Sequence, residues 1–534
     1  MQELKELISL SATGKIDSPA FLDSSYNREG NKTLAHKLYK MASDETIISN
    51  AAAMTSLYGD HSSPFKYNVL KKRLKEKLLN TVLFLKPGKS ESGTLLLSMY
   101  WCHKNYVIAD LLLSVSLKKI GIRLMKNVLK RALRYEFFDI VRLGASLLRR
   151  EAMQEGNLKS FNYYNAIARK GHKMIVAEDK IEALYHNILI HYTASGSYKP
   201  HMAKKAKSAI IKIGAIRDHY DSYQISYYYY NAQILYYQIS MEYDKALDLC
   251  IEFEKKYLSN EKALFYTRHR HANFLIQKLN CCLHVRNFEE GVKSAKFAGS
   301  VYEAGRGNWY TLQDLYFLLS LNSDELSTAC EIFTSVTSSR RFEMLPAYVR
   351  EKWKLFGAYL WLMVSSSTEE GELKNLLPKE SKISIGKLIN EMIIFSRDKQ
   401  GYNIAILTIQ IIVSLQKKDF ESVVKRMESI RNYIYKHLKK NDPSYRSQVF
   451  FKLLTLVERC DFDAKLINVK AEKMLMRLHN AQINFEMHPS RYEIVPYETL
   501  FAMIMRILGD PAGEAYGYNL FKERNLHHSS QVDK

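Results

Sequence analysis

The stretch RHRHANFLIQKLNCCLHVR gathers His269, His271, Cys281, Cys282 and His284, soft donors of the kind that hold zinc. Their spacing argues against a shared ion. On a helix, His271 and Cys282 lie 11 residues apart, about 16 Å at 1.5 Å per residue. Zinc needs every ligand within about 2.0–2.3 Å. The adjacent thiols of Cys281 and Cys282 diverge by roughly 100° on a helix, so they read as small buried hydrophobes beside interface histidines. The tripeptide Trp101–Cys102–His103 fails similarly, because helical neighbours diverge while a nucleophile needs its base within about 3 Å. GxxxxGK[ST], HExxH, GxSxG and GxGxxG are all absent from the sequence. We therefore assign no catalytic, cofactor-binding or metal-ligating residue, expect no cofactor and expect no enzymatic activity.

Charge is the stronger signal. Across 534 residues, 78 Lys and Arg face 56 Asp and Glu, a formal net charge of +22. Such a field attracts polyanions: nucleic acid, an acidic protein or an anionic surface. The densest stretch is 118–134, where Lys118, Lys119, Arg123, Lys126, Lys130, Arg131 and Arg134 occur with no acid among them. Helical spacing aligns Arg123, Lys126, Lys130 and Arg134 on one face. Lys119, Arg123, Lys126, Lys130, Arg131 and Arg134 form the candidate partner-binding stripe, with Ile120, Leu124, Val128, Leu129 and Leu133 as its expected buried side. The cations of 66–77 are a second basic helix. Tyr is abundant, 36 in all, with a run at 227–230 followed by Tyr236 and Tyr237. Such rings stack on bases in single-strand binders, and at helical spacing they more often fill cores between helices. Tyr229, Tyr230, Tyr236 and Tyr237 are the candidates for a partner-facing surface.

The elements that must carry these residues are helices. Only 22 Gly and 10 Pro punctuate the chain, too few turn residues for a sheet protein of this length. Hydrophobic residues make up 47% and charged residues 25%, the balance of a folded protein. The six Cys, at 102, 250, 281, 282, 330 and 460, form no CxxC pair and suit a reducing compartment. The N-terminus MQELKELISLSATGK lacks the basic start and apolar run of a signal peptide, and no window approaches 18 apolar residues, so a cytoplasmic protein without a transmembrane segment is expected.

In chain order, residues 1–63 read as an N-terminal cap or small helical module, and 64–197 as a basic helical region opened by Pro64. Within that region, 155–192 reads as two helices. Helical repeats follow over 198–365, then an exposed loop at 366–385 rich in Glu and Ser, more repeats at 386–524, and a disordered tail at 525–534.

The most regular part is 198–300. Tyr243 and Phe288, each just after a polar turn, are 45 residues apart; Tyr198 lies another 45 upstream, and Phe420 follows Phe288 by 132. Each aromatic is followed by a small or apolar residue three positions on and further apolar positions down the helix: Tyr243, Ala246, Cys250, Phe253; Phe288, Gly291, Ala295, Ala298; Phe420, Val423, Met427, Ile430. These units resemble divergent tetratricopeptide repeats over about a third of the chain. They depart from that motif in their spacing, 45 residues rather than about 34, and in carrying Ile234, Leu279 and Ile411 where a small residue is usual. The expected fold is all-α: an α-solenoid of antiparallel helical hairpins with an atypical N-terminal helical cap. The resemblance implies a concave face that binds a peptide or protein, or in related helical repeats RNA. The expected function is a non-catalytic scaffold for an acidic protein or peptide partner, with RNA or single-stranded nucleic-acid binding as the alternative.

Overall fold

The computed structural model describes residues 3–5, 7–8, 33–43, 49–59, 63–82, 94–195, 200–261, 263–367, 370–376, 402–437, 445–480 and 493–510. Among them there is no strand. The helices are α1 (Leu34–Ser43), α2 (Asn50–Tyr58), α3 (Pro64–Val82), α4 (Thr94–Ser114), α5 (Lys118–Arg134), α6 (Phe138–Gln154), α7 (Leu158–Ser195), α8 (Pro200–Arg217), α9 (Tyr223–Ile239), α10 (Tyr243–Phe253), α11 (Arg268–Val285), α12 (Phe288–Val301), α13 (Gly307–Asn322), α14 (Leu326–Thr337), α15 (Ala347–Ser365), α16 (Glu370–Leu376), α17 (Tyr402–Gln416), α18 (Phe420–His437), α19 (Tyr445–Arg459), α20 (Ala464–Asn480) and α21 (Tyr497–Ile507).

One turn recurs between consecutive helices. Ser116, Glu136, Gly156, Met241, Arg286, Asp324 and Lys418 all have φ between 56° and 66°. In each case the next residue donates its backbone N–H to the carbonyl five positions back: Leu117 to Leu112, Phe137 to Ala132, Asn157 to Ala152, Glu242 to Tyr237, Asn287 to Cys282, Glu325 to Ser320 and Asp419 to Ser414, at 2.8–2.9 Å. This is the Schellman closure, which satisfies the last carbonyls of one helix while reversing the chain. A new helix then starts two residues after the left-handed one, at 118, 138, 158, 243, 288, 326 and 420.

A constant turn fixes which face of the following helix points inward. Positions three, seven and ten after the start are buried at Gly121, Met125 and Val128; at Val141, Ala145 and Leu148; and at Ala246, Cys250 and Phe253. The same holds for Gly291, Ala295 and Ala298, for Ala329, Phe333 and Val336, and for Val423, Met427 and Ile430. The apolar positions singled out after Tyr243, Phe288 and Phe420 are therefore core, although Phe420 itself is 39% exposed. Tyr198 lies outside the described residues.

The chain forms two compact units, residues 1–175 with 264–267, and residues 176–263 with 268–534. In the first, Leu38, Ala42, Ala53, Tyr67, Leu74 and Leu78 bind α1–α3 together, and Cys102, Met125, Val128, Val141 and Leu148 form the core of α4–α6. In the second, Phe253 packs against Tyr230, Tyr257 and Phe274 at ring-centroid distances of 4.8–5.3 Å. Phe317 stacks on Phe356 at 4.9 Å beside the buried Trp353. Arg446 is buried between Glu493, 2.7 Å away, and Glu498, 2.5 Å away.

Two expectations need correction. The stretch 155–192 is not two helices, because α7 runs unbroken for 38 residues. It contains no Pro, and its one internal Gly, Gly171, meets the backbone and side chains of α6 instead of opening a turn. The first compact unit accordingly ends inside α7, at residue 175. Within the loop expected at 366–385, Glu370–Leu376 is helical and packs on α14 and α15 with Leu373 buried. Residues 377–385 lie outside the described residues, as does the tail 525–534.

Candidate partner-binding surface

Helix α5 owes its position to small residues. Gly121 and Ala132 sit on its buried face with Met125, Val128 and Leu129, so α5 lies close against α4. The stripe expected from Ile120, Leu124 and Leu133 is displaced: Ile120 is 49% and Leu133 40% exposed, and Leu124 is only partly buried. The opposite side carries Lys119, Arg123, Lys126, Lys130 and Arg134, all exposed. None of these five forms an ion pair with a described residue. Lys118, Arg131 and Arg134 make other contacts: Lys118 lies 3.4 Å from Glu151 and bonds Gln154, the Arg131 guanidinium lies 4.4 Å from the centre of the Trp101 ring, and that of Arg134 lies 5.7 Å from the centre of the Tyr135 ring.

The electrostatics of α5 oppose its own stability. No acid stands in its first turn, where Lys118 and Lys119 meet the positive end of the helix dipole, and no side chain caps Leu117. Each such cation costs about 0.3–1 kcal/mol, and each like-charge pair at i,i+4 adds about 0.2–0.5 kcal/mol. Only Arg131 and Arg134, in the last turn, are placed favourably.

The Tyr candidates do not make one open face. Tyr230 is 5% exposed, its ring packs on Phe253 and its hydroxyl donates to Glu252 at 2.5 Å. Burial, reinforced by that carboxylate, pushes its pKa up to about 12. Tyr229 is half-buried under the Arg217 guanidinium, 4.2 Å from the ring centre. Tyr236 packs into the cluster of Ile188, Met202 and Leu235, and Tyr237 is half-buried with the Lys245 ammonium 5.6 Å from its ring centre. The abundance of Tyr in α9 serves inter-helix packing.

The histidines and thiols are also placed within the fold. His271 bonds Glu254 at 2.9 Å, and His284 stacks on Tyr243 at 3.7 Å. Cys281 and Cys282 are fully buried, and burial pushes the Cys282 thiol up to about 12. Among the described residues, no three His, Cys, Asp or Glu come within reach of one ion. Cys102 is fully buried and its thiol is pushed up to about 11 by burial, while His103 points to solvent.

A second cationic feature lies between α6 and the first half of α7. Gly171 brings α7 against α6; a Cβ there would stand 3.3 Å from the Arg142 nitrogen and from Val141. Arg149 ties the helices through its 2.9 Å bond to Asn165. A cavity of about 630 Å³ remains, lined by Arg142, Ser146, Arg149, Arg169, Lys170, His172 and Lys173 with two alanines. Beside it lies a smaller cavity of about 460 Å³ that shares Ser146 and Arg149 and is otherwise lined mainly by Tyr106, Leu143, Leu147, Met153 and Phe161. The sequence contained a signal for this region, since residues 118–175 hold fourteen Lys and Arg against four Asp and Glu. No helix of the described residues is long and apolar enough to cross a membrane. Comparison with family models, curated proteins and solved structures gives no match.

Proposed function

We propose that this chain is a non-catalytic α-solenoid of tetratricopeptide-like hairpins, a cytoplasmic scaffold that docks an acidic protein segment on the cationic side of α5. The support is the row Lys119, Arg123, Lys126, Lys130 and Arg134, exposed and without ion pairs to described residues. Within a free chain this row is held against mutual repulsion and the helix dipole. An acidic partner relieves both. The Tyr-rich helix α9 acts as core in this reading, so specificity falls to the cations and to the apolar side chains exposed near them, Ile120 and Leu133.

The test is a variant with Arg123→Gln, Lys126→Gln, Lys130→Gln and Arg134→Gln, which keeps the buried side of α5 intact. Tagged wild-type and variant chains are purified from the native cell after nuclease treatment. Protein partners that survive nuclease with the wild type and are lost with the variant support the reading. A shallow dependence of their affinity on salt is expected, because screening chiefly slows association. Tight binding to RNA or single-stranded DNA, with a steep salt slope that the four substitutions reduce, overturns it in favour of nucleic acid.

A further inference from the structure

We propose that the cavity between α6 and α7 binds a polyphosphate group, free or esterified to a small molecule. Its charged lining is wholly cationic, from Arg142, Arg149, Arg169, Lys170 and Lys173, with His172 beside them and no carboxylate among the lining residues. None of these five cations forms an ion pair with a described residue; Arg149 spends one N–H on Asn165. Arg142 and Arg149 are half-buried on α6, and Arg169, Lys170 and Lys173 are exposed on α7; all five border one open hollow, where each raises the potential felt by the others. Guanidinium forks match phosphate oxygens in pairs, and lysine ammoniums add point charge, a combination suited to adjoining phosphates.

The volume, about 630 Å³, lies in the range that holds small ligands. Ala166 and Ala168 are its only apolar residues, and the rest of its apolar wall comes from the stems of the Arg and Lys side chains. Five unit charges call for a ligand with several negative charges, more than one sulfate or monophosphate carries. An organic part, where the phosphates are esterified, has the adjoining cavity with Tyr106 and Phe161 to enter past the shared Arg149.

The experiment is isothermal titration of the full chain with inorganic tripolyphosphate and with a nucleoside triphosphate, at fixed ionic strength near physiological. Three proteins are compared: wild type, an Arg142→Gln/Arg169→Gln/Lys173→Gln variant, and the α5 quadruple variant. Arg149 is left intact because it joins the two helices, and circular dichroism checks that both variants stay folded. Saturable binding of one ligand per chain is expected. It should weaken at least tenfold in the cavity variant and less than threefold in the α5 variant. Equal affinity for the two ligands means that phosphates alone are recognised, and tighter nucleotide binding means that the organic part occupies the adjoining cavity; both sustain the site. Absence of saturable binding, or equal weakening by the α5 variant, overturns it. Failure here leaves the proposed scaffold role of α5 standing, since that role is read from different residues.

Discussion

Lys278 should be a residue of the second unit whose loss is felt across several elements. It is 4% exposed in α11, and its ammonium lies 2.7 Å from Glu254, at the end of α10, and 2.9 Å from Glu290, in the first turn of α12. One side chain therefore ties three successive elements. Lys278→Met keeps its apolar stem and removes the charge. Breaking a buried pair from one side costs about 3–5 kcal/mol. Here Glu254 keeps His271, Glu290 keeps Lys293, and both carboxylates are about a quarter exposed. The expected loss is therefore about 2–3 kcal/mol. It is read from urea unfolding followed by circular dichroism, where a two-unit chain is expected to show separable transitions of which one moves. The pH dependence gives a second handle. At Glu254 burial pushes upward, but the bonds from His271 and Lys278 win and hold its carboxyl below the usual 4.5; the Lys278 bond leads in holding Glu290 low. Burial likewise opposes the Lys278 charge, yet Glu254 and Glu290 raise it above 10.5. Depressed carboxylates contribute stability that is complete above their unfolded value and lost as pH falls through the folded one. A raised lysine contributes stability that is complete below its unfolded value and lost as pH rises through the folded one. In the variant the carboxylates keep their burial without Lys278, so they take up protons more readily and recover stability as pH falls. The gap between wild type and variant should be widest near pH 7 and narrow towards pH 4. A gap below about 1 kcal/mol at pH 7, or one equal at the two pH values, refutes an electrostatic role.

Gly291 tests the hairpin geometry itself: a Cβ there would stand 2.1 Å from a Leu319 methyl and 3.4 Å from Cys282 and Leu279. Gly291→Leu should destabilise by at least the overpacking cost of about 1–3 kcal/mol, as should Ala246→Leu at the equivalent buried position; unchanged thermal melts in both would show the crossings to be placed wrongly. All six cysteines are buried and free, and the Cys102 thiol is raised to about 11, so native chain at pH 8 should react with a disulfide reagent far more slowly than urea-unfolded chain. Rapid labelling of Cys102 would revive a Cys–His pair.

The units after Tyr243, Phe288 and Phe420 were legible because each pairs an aromatic start with apolar positions three, seven and ten residues on. Identical turns before Lys118, Leu158 and Leu326 carried no such flag. Their left-handed residues are Ser116, Gly156 and Asp324, and only one is glycine, so composition did not mark them as a set. The recurrence is also uneven, since helices begin 20 residues apart at 118, 138 and 158, yet 45 and 38 residues separate 243, 288 and 326. The register of α5 departs from the bulky apolar stripe for a different reason. Choosing the bulkiest apolar residues selects Ile120 and Leu133, but a close helix crossing selects the smallest. At Gly121 a Cβ would already stand 2.8 Å from Leu113, so the buried stripe follows Gly121 and Ala132 and turns the larger neighbours outward.

The cationic cavity could not be read from spacing at all. Arg142, Ser146 and Arg149 lie on one side of α6, and Ala166, Arg169, Lys170 and Lys173 on one side of α7. Taken singly, each is the polar face of an amphipathic helix. Gly171 seats α7 on α6 through its own buried side, and these residues flank that contact, with Ala166, Arg169, Lys170 and Lys173 exposed. At three other helix contacts among the described residues a buried charge meets its opposite: Lys278 meets Glu254 and Glu290, Lys352 meets Asp314 at 2.5 Å, and Arg446 meets Glu493 and Glu498. The charges that border the hollow between α6 and α7 are all of one sign, Arg142 and Arg149 half-buried and the other three exposed. A fold that compensates its charge in three other contacts, and leaves this one open around a hollow of ligand size, has the electrostatic form of a site completed by an anion from outside the chain.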